Sequence, residues 1–237
     1  MGNNVASKKT ALKRPLRPSV RVAYRLVESD ADLIVGVSAL TRTCPLMRTI
    51  ETRAGLPALR RNPPGFAGLC RIVVFQQVST ASGTAIWTRV LAGIQPFTAH
   101  AMLRLTEDDL RGLGLSRPKV RTLRALAQSI VAGVIDLDDL AAHPDATIRD
   151  KLIALHGIGP WTADIFLMFN LGRADAFASG DLALQEAARM GLDLDARPDA
   201  QALEQIAERW RPWRAVAALM LWNYYRVAKQ TKGGAPV

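Results

Sequence analysis

Apolar residues recur along this chain at three- and four-residue intervals from about residue 29 to 229, and strand-like alternation is weak. The run SDADLIVGVSAL opens with Ser29 and Asp30 as cap residues and then places Leu33, Ile34 and Val37 at helical spacing. Pro45 begins a second, short helix that stops by Gly55. The breaker cluster RRNPPGFAGL marks a boundary, after which Leu69, Ile72, Val73 and Val78 predict a buried helix over 66–78. Helices follow over about 81–91, in LTEDDLRGLG as far as Gly112 and Gly114, and over 116–131, where the missing N–H of Pro118 costs nothing in the first turn. The pattern continues near 136–141, 146–154, 160–170, 181–189, 199–209 and 212–229. Residues 20–27 read as a short strand, and no repeat of fixed period is present. The predicted fold class is all-α.

Composition narrows the setting. The chain has 237 residues, 49% of them hydrophobic, which supports a packed core in one or two domains. A formal charge of +10 points to a polyanion or a membrane surface. Seven Lys or Arg and no acid lie between Met1 and Val27, so the rest of the chain carries only about +3. Residues 1–20 are expected to form a basic, disordered tail, and 231–237 a flexible end. No apolar run is long enough to span a bilayer. The start lacks the apolar core of a secretory signal, and Ala6 breaks a myristoylation pattern. The expectation is a protein of the cytoplasm or nucleus, not secreted and not held at a membrane. Cys44 and Cys70 are too few for a disulfide framework, zinc site or iron–sulfur cluster, and His100, His143 and His156 show no metal-ligand spacing.

The stretch LHGIGPWTADIFLMF, residues 155–169, carries the chemistry. Gly157 and Gly159 stand two apart just ahead of a helix pattern, and a turn alone needs only one glycine. The spacing predicts a hairpin over 156–159 followed by a helix from Pro160. Free N–H groups of Gly157, Ile158 and Gly159 at a helix N-terminus make an anion site, to which the Thr162 hydroxyl adds a contact. Taken alone, the two glycines also fit a plain pair of helices joined by a C-cap glycine.

The full run resembles the helix–hairpin–helix DNA-binding signature through Leu155, Gly157, Ile158, Gly159, Thr162 and Ala163. With GFAGLCRIVVFQQVSTASGTAI, LRGLGLSRPKVRTLRALA, GDLALQ and AERWRPWRAVAALMLW, the chain resembles the helix–hairpin–helix DNA glycosylases over residues 30–225. The likeness is strongest to their alkyl-base branch, of 3-methyladenine DNA glycosylase II type. It implies two helical lobes, 21–64 with 174–230 and 65–173, around a DNA-facing cleft. It also implies a monomer acting on double-stranded DNA that contains alkylated bases. No cofactor is implied, and no metal beyond a monovalent ion at the hairpin.

The resemblance places the catalytic carboxylate at Asp181, 20 residues after Trp161; read from the residues alone, Asp181 is equally an N-cap. Asp175 is its nearest rival. Trp161 and Trp222 are implied to line the pocket for an everted base, with Ile165 where the family has a tyrosine. Trp210 and Trp213 read as scaffold. Gln77, backed by Gln76, falls at the wedge that fills the gap left by the everted base. Ser116 and Lys119 begin a helix beside a second glycine turn, where a phosphate contact and a solvated helix start remain open alternatives. Strand-cutting relatives place a lysine immediately before the residue matching Thr162; Trp161 stands there, which implies hydrolysis alone. A non-catalytic DNA-binding module, or a glycosylase for deaminated or oxidised bases, remain the alternatives.

Overall fold

The structure, a computed structural model, describes residues 24–232. The expected tail at 1–20 and residues 233–237 of the flexible end expected at 231–237 lie outside the described residues, while 231 and 232 continue the last helix. Twelve α-helices follow one another among them: α1 (Asp30–Thr43), α2 (Pro45–Ala54), α3 (Gly65–Phe75), α4 (Thr80–Gly93), α5 (Ala99–Arg104), α6 (Glu107–Gly112), α7 (Arg117–Val131), α8 (Asp145–Ile153), α9 (Pro160–Ile165), α10 (Leu182–Leu192), α11 (Ala200–Ala207) and α12 (Arg214–Lys232). Local chemistry sets their ends. Ser29 and Asp32 form a capping box at α1, as Thr106 and Asp109 do at α6. Gly55, at φ 71°, closes α2.

Several expectations need correction. The strand at 20–27 reduces, among the described residues, to one antiparallel bridge between Leu26 and Arg173, so this segment edges a loop rather than joining a sheet. The helix expected over 66–78 stops at Phe75, because Gln76 swings to an extended ψ of 133° and Gln77 follows at φ 53°. Residues 136–141 yield only a 3₁₀ turn at Asp139–Ala142. The single helix expected over 160–170 changes pitch at Phe166, and a π turn spans Phe166–Asn170. Helix α5 has no counterpart in the expectations, since its six residues are too few to show a period.

Helices α1, α2, α10 and α12 pack on one another, and α7 packs on α3, α5 and α6. Helix α9 with its π turn packs on α8 and α3, and reaches the first set through Trp161 on Asp181 and Phe169 on Trp222. The core includes Trp210, Phe166, Met47, Leu69 and Leu123, all fully buried. Between the two sets the segment 55–64 crosses over as a strap. Asn223 of α12 donates to the carbonyls of Ala54 and Gly55 (2.8 and 3.2 Å), Asn62 N–H donates to the Phe169 carbonyl (2.9 Å), and Asn170 donates to the Pro63 carbonyl (2.6 Å). A Cβ on Gly68 would strike that Pro63 carbonyl, so only glycine lets the strap lie this close to α3.

Candidate active site and DNA interface

Asp181 caps α10. Its Oδ1 accepts the backbone N–H groups of Ala183 and Leu184 at 2.9 and 3.0 Å. Trp222 Nε1 donates to the same oxygen at 3.0 Å, while Trp161 Nε1 donates to Oδ2 at 2.9 Å. The carboxylate is therefore held by four N–H groups from three elements. The loop before it is fixed too: Asp181 N–H donates to the Ala178 carbonyl, and the buried Gln185 side chain donates to the Ser179 carbonyl. The N-cap reading of Asp181 is observed, and it does not exclude the other, for capping uses Oδ1 and leaves acceptor capacity on Oδ2.

Asp181, Trp161, Ile165 and Trp222 line one cleft of about 520 Å³, together with Phe75, Phe169, Ile72, Thr80, Leu59 and the polar residues Arg60, Arg61, Asn62 and Arg71. Its volume falls in the range of small-molecule pockets. Trp222 and Phe169 meet at 5.7 Å between ring centroids. Because each indole turns its N–H edge to Asp181, the position of both rings is tied to that of the carboxylate. Asp175, the rival carboxylate, is held by Arg211 and Arg214. Those arginines flank Trp210 and Trp213, both buried, so this run is scaffold.

The hairpin lies between α8 and α9. Gly157 has φ 77°, and a Cβ there would run into the Thr122 side chain of α7. Gly159 differs: at φ −97° it is ordinary extended backbone, and a Cβ would meet nothing within 4 Å. Nothing inside the chain requires glycine at 159. The N–H groups of Gly157, Gly159, Trp161 and Thr162 donate to no backbone carbonyl outside the helix and to no side chain among the described residues. Two expectations are corrected. Ile158 N–H donates to the Leu155 carbonyl at 3.1 Å and its side chain is buried, so the tightness of the turn removes it from the anion site. Thr162 is only 2% exposed, and its hydroxyl accepts from Gln76 Nε2 at 2.8 Å. It braces the hairpin from within.

Gln76 is thereby also reassigned, as a tie between the end of α3 and α9 rather than part of a wedge. Gln77 stands exposed at the tip of the α3–α4 turn. Lys119 donates to the Val74 carbonyl at 2.8 Å, capping α3, which takes it away from a phosphate contact. Burial lowers its pKa from the usual lysine value. Beneath the hairpin, Asp164 of α9 pairs with Arg149 of α8 at 2.7 Å. Burial pushes the Asp164 carboxyl up to about 7; Arg149 opposes that rise and Glu204 adds to it.

Sequence reasoning missed Phe169, Phe75 and the strap residues Leu59, Arg60, Arg61 and Asn62. Phe169 had a signal, since Trp161, Ile165 and Phe169 are spaced by four and share a helical face. The strap had none, being irregular chain that reaches the cleft only through tertiary ties.

Among the described residues no group of three or more His, Cys, Asp or Glu stands ready to hold a metal, and no helix is long and apolar enough to cross a membrane. An all-helical frame, a glycine hairpin with unspent N–H groups and one clamped carboxylate in an aromatic cleft thus stand together in one chain. Residues 70–212 match the HhH-GPD superfamily of base excision DNA repair proteins, and the chain belongs to that family. It is 33% identical over 221 residues to a probable bifunctional transcriptional activator/DNA repair enzyme AlkA of Mycobacterium tuberculosis, an alignment covering 89% of this chain and 43% of the relative. The chain thus spans less than half the length of that relative. The crystal structure of a DNA-3-methyladenine glycosidase from Bacillus halodurans is 30% identical and superimposes with a TM-score of 0.69, covering 90% of this chain and 95% of the other. The 3-methyladenine DNA glycosylase Mag1 of Schizosaccharomyces pombe, solved with abasic DNA, shares the fold with a TM-score of 0.73 at 22% identity, covering 79% and 95%.

Proposed function

We propose that this protein is a monofunctional DNA glycosylase that everts alkylated purines, chiefly 3-methyladenine and 7-methylguanine, from duplex DNA and hydrolyses the N-glycosidic bond. The carrying observation is the Asp181 carboxylate, clamped by two indole N–H groups and a helix N-terminus at the wall of an aromatic cleft. An alkylated purine already carries positive charge. As its bond to C1′ breaks, the electron pair leaves with the base, which departs neutral, and the sugar becomes an oxocarbenium-like cation. Asp181 Oδ2 stabilises that cation and orients the water that attacks C1′; the water's surplus proton passes to the carboxylate or to solvent. No acid is needed for a neutral leaving group. Free base and an abasic site result, and with Trp161 where strand-cutting relatives carry lysine, the strand stays whole.

The faces of Trp161, Trp222 and Phe169 suit a flat cationic ring. The free N–H groups of the hairpin suit a backbone phosphate, a contact blind to sequence and weakened by salt. Gln77, on the exposed and strained α3–α4 tip, is the wedge, and its amide is able to hydrogen-bond the base left without a partner. Purified protein incubated with duplexes bearing one lesion each tests the reading. Release of free alkylpurine is expected. Release of deaminated or oxidised bases instead would move the specificity, and release from none would leave a DNA-binding module.

A further inference from the structure

The strap carries one arginine that has no partner among the described residues. Three guanidinium groups line the cleft, from Arg60, Arg61 and Arg71. Arg61 pairs with Glu28 at 3.5 Å. Arg71 donates to Asn62 at 2.7 Å and lies over the Phe75 ring. Arg60 makes no hydrogen bond or ion pair among the described residues. Shielding by its neighbours, and then the charge of Arg226, lower its pKa from the usual arginine value. Arg226 follows Trp222 by four residues on α12, which sets it one turn further along the helix face that meets the cleft. Among the described residues its one polar partner is neutral: it donates to Asn223 Oδ1 at 2.8 Å, and Asn223 in turn holds the strap at Ala54 and Gly55.

Both guanidinium groups stand exposed, Arg60 on the strap and Arg226 on α12, with no carboxylate paired to either among the described residues, so both are free to meet an anion. We propose that Arg60 and Arg226 form a second phosphate clamp, gripping one backbone phosphodiester beside the everted nucleotide where the strap meets α12. Guanidinium groups suit the task because they meet phosphate oxygens with paired, planar N–H donors. The clamp also removes a conflict within the site. Bare cations at the cleft would repel a cationic alkylpurine, whereas cations neutralised by the phosphate leave the aromatic walls open to it. The clamp rests on the DNA-binding part of the proposed function, not on the glycosylase chemistry.

The test is equilibrium binding to a duplex carrying a stable abasic-site analogue, over a range of salt, with R60Q, R226Q and the double variant. Each single variant should weaken binding about tenfold, and the double variant should flatten the slope of log Kd against log salt by about one phosphate's worth, ~0.9. R60K and R226K should restore most of the salt slope. A methylphosphonate placed at each linkage around the lesion locates the contact. At one position it should cost the wild type about as much as the double substitution does, and cost the double variant little more. Wild-type affinity and slope in the double variant overturn the clamp, as do losses that simply add to those of every neutral linkage. Because the readout is binding, failure to release any base would refute the glycosylase reading and leave this result to stand separately.

Discussion

At the scale of single residues, Asp181 is distinguished by its company. Three donors on Oδ1 and one on Oδ2 fix the carboxylate's rotamer before any substrate arrives, and a preorganised charge need not be reoriented during the reaction. Replacing either indole by a phenyl ring keeps a stacking face and removes the N–H. Trp161→Phe and Trp222→Phe should therefore each lower the single-turnover rate about tenfold or more, with a smaller effect on binding of abasic DNA. Equal losses in both would show that the rings serve only to stack. The likeness of motif located Asp181, Trp161, Trp222 and Ile165 in the chain. The N–H clamp was not readable there, because it depends on how three elements turn their side chains in space. The Ile158 N–H and the Thr162 hydroxyl are spent inside the fold, which was not readable for the related reason that a signature records which residues stand in a turn, and not which of their polar groups the turn consumes.

Among elements, the hairpin separates two kinds of glycine. Gly157 is demanded by the fold, through a positive φ and the wall of Thr122; Gly159 is not. Gly157→Ala should destabilise the protein by about 1–3 kcal/mol in denaturant unfolding. Gly159→Ala should leave stability within about 0.5 kcal/mol yet weaken DNA binding for all sequences alike. A stability loss at 159 matching that at 157, or unchanged DNA affinity, would contradict this division. The long helices and their caps were legible, since α1, α4, α7 and α12 run long enough for period and caps to agree. The π turn after α9 was not. Its apolar run fits a continuous helix, and the departure comes from the Leu171 N–H donating to the Phe166 carbonyl and from Asn170 reaching across to the strap.

On the scale of the whole molecule, the cleft draws its walls from both packed sets of helices, so its geometry depends on what joins them. Beneath the hairpin the buried Asp164 pairs with the partly exposed Arg149, tying α8 to α9, the helix that sets Trp161 and Ile165 in the cleft. The raised Asp164 pKa of about 7 fixes the sign of its pH dependence. Below the unfolded value near 4 both states hold the proton; between about 4 and 7 the folded state holds more of it, so stability falls as pH rises through this window. Asp164→Asn should remove that decline and gain relative to wild type as pH rises, by on the order of a few kcal/mol at most, measured by urea unfolding at pH 4, 5.5 and 7. Parallel curves for the two proteins would show that Asp164 ionises normally. The central claim, that one clamped carboxylate drives base release, meets its most direct test in single-turnover kinetics of Asp181→Asn on duplex DNA bearing 7-methylguanine. Asparagine still caps α10 and fills the same volume, so the variant should bind abasic-analogue DNA nearly as well as wild type while its rate of base release falls about 10²–10⁴-fold; a rate equal to wild type would contradict the account.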